Sequence, residues 1–97
     1  MSVTAETVLD VVREHIRELY PGVYVNKLPG SLLFYSSMPS YTENKVLLWV
    51  KTAGIIQLSL YLKSMQQYSK TINIQEPGSL ELIEEAVQQI YDLQFPE

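Results

Sequence analysis

Apolar residues recur at helical spacing near both ends of the chain and at every second position between them. Val8, Val12, Ile16 and Leu19 step by four, four and three, which predicts an amphipathic helix from Thr4 to Leu19. Thr4 suits its N-cap, because a threonine hydroxyl can accept from a free amide of the first turn. Tyr20-Pro21-Gly22 stops it, since proline disfavours helical geometry in the residue before it and glycine tolerates the exit turn.

From Val23 to Gln75 the period falls to two. Val23 to Leu28 and Ser31 to Ser36 are expected to be strands joined by Pro29-Gly30, a pair suited to a type II turn. A loop from Ser37 to Asn44 precedes a third strand, Val46 to Lys51, and Thr52-Ala53-Gly54 returns the chain. In the fourth strand, Ile55 to Lys63, Ile56, Leu58, Leu60 and Leu62 point one way; Gln57, Ser59, Tyr61 and Lys63 point the other. A polar connection, Ser64 to Lys70, then leads to a short strand at Thr71 to Gln75. Glu76-Pro77-Gly78-Ser79 breaks the pattern and opens a second helix, with Ser79 as cap and Leu80, Ile83, Val87 and Ile90 as its apolar stripe.

These surfaces fit an α+β fold in the order α-β-β-β-β-β-α. An antiparallel sheet of four to five strands has one apolar face to give, and two amphipathic helices packed on that face use it. The connections are too short for parallel crossovers. In the four-strand alternative, Thr71 to Gln75 lies in a loop or pairs with another chain. Ninety-seven residues correspond to one domain, 1–97, and 46% apolar with 19% charged residues suits an independent core.

Several chemistries are absent from the sequence. With no cysteine, thiolate metal sites, disulfides and thiol catalysis drop out, and a single histidine leaves no two-histidine site. There is no G-x-S-x-G elbow, no G-x-G-x-x-G, no phosphate loop and no calcium loop. His15 sits at the edge of the first helical stripe, as a boundary histidine or, less simply, as a catalytic one. Glu6, Asp10, Glu14 and Glu18 step by four along the first helix. They form either a solvated face relieved by Arg13 and Arg17 or a surface for a divalent cation or basic partner. No catalytic residue, cofactor or metal site is assigned, and an enzyme is not expected. Without a basic and apolar leader pattern or an apolar run of membrane length, the expectation is a cytoplasmic protein with no membrane contact.

Charge is uneven along the chain. Residues 1–20 have four acids and two arginines, residues 21–75 have five lysines and one acid, and residues 76–97 have six acids and no base. Acidic helices on one side and a mildly basic sheet on the other are expected. If Val46, Leu48 and Val50 face the core, Leu47, Trp49 and Lys51 face outward beside Gln57, Tyr61 and Lys63, with Tyr24 or Tyr35 extending the patch. Aromatics among amides, hydroxyls and lysines suit recognition of another surface. These six residues are the candidate partner-binding site, although Trp49 could instead be buried.

The stretch Val23 to Lys63, closing on Gly54-Ile55-Ile56-Gln57-Leu58-Ser59-Leu60-Tyr61-Leu62-Lys63, is followed by Thr71-Ile72-Asn73-Ile74 and a helix from Ser79 to Leu93. In this order of elements the chain resembles the small uncharacterised domain family labelled "predicted transport protein", sometimes found attached to nuclease-like proteins. Gln66-Gln67-Tyr68 stands where that family would have a polar, tryptophan-containing segment. The resemblance implies the topology and an accessory role, and brings no catalytic residue. The expected function is a non-enzymatic interaction module that binds a protein partner, or a second copy of itself, through the uncovered sheet face or a sheet edge. The alternative is an accessory nucleic-acid-binding domain using the sheet aromatics and lysines.

Overall fold

In a computed structural model describing residues 4–35 and 44–94, five strands form a single antiparallel meander, each pairing with the next in the chain. The elements are α1 (Ala5–Leu19), β1 (Tyr24–Leu28), β2 (Ser31–Tyr35), β3 (Lys45–Thr52), β4 (Ile55–Leu62), β5 (Met65–Asn73) and α2 (Ser79–Gln94). α1 touches β1, β2 and β3, α2 touches β3 and β4, and the helices meet each other.

The core is built from alternate residues of the sheet. Leu32 and Phe34, Val46 and Leu48, and Ile56, Leu58 and Leu60 are fully buried under one cluster with Ala5, Leu9, Val12 and Ile16 of α1 and Ile83, Ala86, Val87 and Ile90 of α2. The helix stripe therefore differs from the expected one. Ala5 and Leu9 enter the core, Val8 is half-buried and Leu19 is exposed, because the buried seam is centred one residue round from the 8–12–16 line.

Local chemistry sets the element ends. The Thr4 hydroxyl accepts from the Thr7 amide at 3.3 Å, and the Ala5 amide donates to the Ala53 carbonyl at 2.7 Å, so the start of α1 is fastened to the β3–β4 turn. Gly30 has φ +75°, the conformation that the second central residue of a type II turn requires. Ser79 begins α2 but does not cap it as an acceptor: its hydroxyl donates to the carbonyls of Asn73 (2.9 Å) and Glu76 (2.7 Å), tying the helix to the end of β5.

The largest correction concerns β5. Residues 65–70 belong to a nine-residue edge strand, where a polar connection was expected. Leu62 faces Met65 across a two-residue turn in which Lys63 and Ser64 both have positive φ, 54° and 68°, as a type I′ turn requires. The turn lacks the usual asparagine and glycine. Gln67 is an extra residue at a bulge between Leu60 and Tyr61, which breaks the alternation that would mark a strand. The loop expected at Ser37 to Asn44 and the end of the second strand at Ser36 lie, except for Asn44, outside the described residues.

Candidate functional site

The register places three rows of side chains on the face opposite the helices. The first row is Tyr24, Tyr35, Lys45 and Tyr61; the second is Asn26, Leu33, Leu47, Ser59 and Ser69; the third is Leu28, Ser31, Trp49, Gln57 and Thr71. Each row follows from the two-residue period of the strands, which turns every neighbour of a core residue outward. Both described helices share the opposite face with the core cluster.

Within the first row, the rings of Tyr24 and Tyr35 meet edge to face at 5.5 Å, and Lys45 Nζ stands 4.9 Å from the centre of the Tyr61 ring. Across β4 and β5 the face is polar and internally bonded. The Ser59 hydroxyl donates to the Ser69 hydroxyl at 3.2 Å, the Gln57 side-chain amide donates to the same oxygen, and the Thr71 hydroxyl donates to Gln57 Oε1 at 3.0 Å. Ser59 is 1% exposed, and this ladder satisfies its hydroxyl. Leu33, Leu47 and Trp49 are half-buried by their row neighbours, while Tyr24 is 52% and Leu28 54% exposed. The face thus grades from aromatic and aliphatic on β1–β3 to hydroxyl and amide on β4–β5.

Four of the six candidate residues, Leu47, Trp49, Gln57 and Tyr61, come together here, and Trp49 lies outside the core cluster. Two do not join the rows. Lys51 is the extra residue where the pairing jumps from Val50↔Ile56 to Thr52↔Ile55, so the alternation that would set it beside Trp49 is broken. Lys63 sits in the β4–β5 turn, its amide held by Asn44 Oδ1 at 2.9 Å, at the opposite end of β4. The basic sheet side is corrected in the same way. Lys27 and Lys70 pair with Leu32 and Leu58, so they face the helix side, and Lys45 is the one lysine within the three rows. Leu33, Lys45, Ser59 and Ser69 are among the further residues of the face; the outward parity of Ser31, Leu33 and Tyr35 against buried Leu32 and Phe34 is the signal that identifies β2's share.

On the helix side, His15 hydrogen-bonds to Glu84 and so links α1 to α2. The rings of Tyr20 and Tyr91 meet at a tilt of 54°, their centres 5.0 Å apart. Glu6 accepts from Lys27 Nζ at 2.7 Å and from the Gly30 amide at 3.3 Å; the lysine bond first and the amide second lower its pKa below the ordinary value. Tyr68 is raised, chiefly by burial and then by the nearby Glu85 carboxylate. Among the described residues, no group of three or more His, Asp or Glu side chains is gathered as metal ligands would be, and no helix is long and apolar enough to cross a membrane. No family model, curated protein or solved structure matches the chain.

Proposed function

We propose that this domain is a non-enzymatic interaction module that docks a protein partner on its open sheet face. The observation that carries this reading is the placement of Tyr24, Tyr35, Tyr61, Leu33, Leu47 and Trp49 on one face while both described helices occupy the other. Tyrosine and tryptophan give contact area at a small cost in ordering and keep a polar tip for the partner. The adjoining Ser59–Ser69–Gln57–Thr71 ladder offers hydrogen-bonding groups already fixed in place. An accessory role, as the resemblance to the "predicted transport protein" domain implies, and a place in the cytoplasm belong to the same proposal.

Charge favours protein over nucleic acid as the occupant. A single lysine in the three rows and a net charge of −4 supply little attraction for phosphates. The test compares affinity capture by the wild-type domain and by a Leu47→Ser/Trp49→Ser variant whose circular dichroism is unchanged. A partner retained in stoichiometric amount by the wild type and lost by the variant supports the reading. Equal retention by both would remove the open face from consideration. Quenching of Trp49 fluorescence by single-stranded oligonucleotides, fading with salt, would replace the protein partner with a nucleic acid; Trp49 is the chain's one tryptophan, so the signal is unambiguous.

A further inference from the structure

The two edges of the sheet differ from its face in one respect: each carries a single charged residue, a lysine, pointing toward the helices. On β1 it is Lys27 and on β5 it is Lys70, and they flank the same row, Leu32–Leu48–Leu58. An inward charge on an edge strand discourages indiscriminate strand pairing, because a new neighbour would have to cover it. Lys27 is already largely covered: its side chain is 16% exposed and its ammonium donates to Glu6 and to the Leu28 carbonyl at 2.9 Å.

Beyond β1 the surface opens into a cleft of about 710 Å³, lined by Arg13 and Arg17 of α1, Pro21 and Val23, and Tyr24, Val25, Lys27 and Tyr35 of the sheet. Every charged residue lining it is a cation. Glu14, which approaches Arg13 at 3.3 Å and Arg17 at 3.7 Å, is itself well exposed and is not part of the lining. Arg13 Nε lies buried without a hydrogen-bond partner, so the donors of this guanidinium are not used up.

We infer that this cleft receives an extended acidic segment of a protein partner, added as a strand along β1. The inference rests on the reading of the domain as an interaction module, and places a second contact beside the open face. An edge strand has backbone amides and carbonyls turned away from its one neighbour, and an extended peptide satisfies them with its own. Side chains of an added strand alternate between the two faces of the sheet. Those on the helix side meet Arg13, Arg17 and Lys27; those on the other side lie next to Tyr24 and Leu28. Arg13 and Arg17 stand one helical turn apart, about 6 Å along the axis, close to the roughly 7 Å between same-face residues of a strand. Carboxylates at alternate positions, with apolar or hydroxyl residues between them, are the complementary pattern. A second copy of this chain is a poor occupant: its β1 or β5 would bring Lys27 or Lys70 against three cations.

The test uses a short fluorescein-labelled peptide alternating glutamate with threonine, and its lysine-for-glutamate counterpart, titrated against the wild-type domain by fluorescence anisotropy. The acidic peptide binds and the basic one does not, binding weakens with salt, and Arg13→Gln with Arg17→Gln reduces affinity by about tenfold. In amide spectra of the wild type the shifts fall on residues 24–28. Absence of binding, equal binding of both peptides, or shifts centred on β5 would overturn the inference. Failure here is separable from failure of the open-face reading, because Leu47→Ser/Trp49→Ser leaves peptide binding unchanged while abolishing capture of a face-bound partner.

Discussion

Ser64 holds a backbone conformation that costs an ordinary L-residue about 1 kcal/mol or more, and with Lys63 it closes the β4–β5 hairpin without glycine or asparagine. Ser64→Gly should therefore raise stability by about 1 kcal/mol in chemical denaturation, with no change in the slope. Pro29-Gly30 declares its turn in the sequence because proline fixes one angle and glycine frees the other. Lys63-Ser64 declares nothing, which is why residues 64–70 look like a loop. Glu6 makes a further prediction at this scale. Its folded pKa is depressed, so its contribution is present above the ordinary value of 4.5 and disappears as pH falls through the folded value. Glu6→Gln should lower the melting temperature at neutral pH, and the gap from wild type should close as pH falls below the ordinary value of 4.5.

At the scale of elements, legibility follows burial. β4 has four buried residues and its alternation is plain; β5 has one, Ile72, and is otherwise exposed or half-exposed. An edge strand needs apolar residues only where a helix covers it, and α2 reaches β3 and β4 more than β5. The Gln67 bulge then shifts the remaining pattern by one residue. The candidate face was legible where strands were regular, at Leu47, Trp49, Gln57 and Tyr61. It failed at Lys51 and Lys63, where a bulge and a turn interrupt the period. Stability should be graded likewise. Amides of β3 and β4, paired on both sides, should exchange with solvent at least about tenfold more slowly than those of β1 and β5, as hydrogen exchange read by NMR would check.

For the whole molecule, regional charge does not translate directly into charged faces. The lysine-rich middle of the chain puts Lys27 and Lys70 on the helix side, where Lys27 meets the acidic α1 through Glu6. The outcome is a nearly uncharged open sheet face bordered by a cationic cleft, and not a basic sheet opposed to acidic helices. Short connections made an antiparallel sheet readable; the order of its strands, and which face a lysine takes, needed the structure.

The order of strands in space is their order in the chain. A sheet of this kind can assemble hairpin by hairpin as the polypeptide leaves the ribosome, each new strand meeting a neighbour that has already emerged. α1 is the exception. It is synthesised before any strand, yet its leading amide is bound by Ala53 at the β3–β4 turn. α1 can therefore complete that bond only after the 34 residues from Tyr20 to Ala53 have followed it, with part of its apolar stripe uncovered meanwhile, and that interval is when this domain has most to gain from a chaperone.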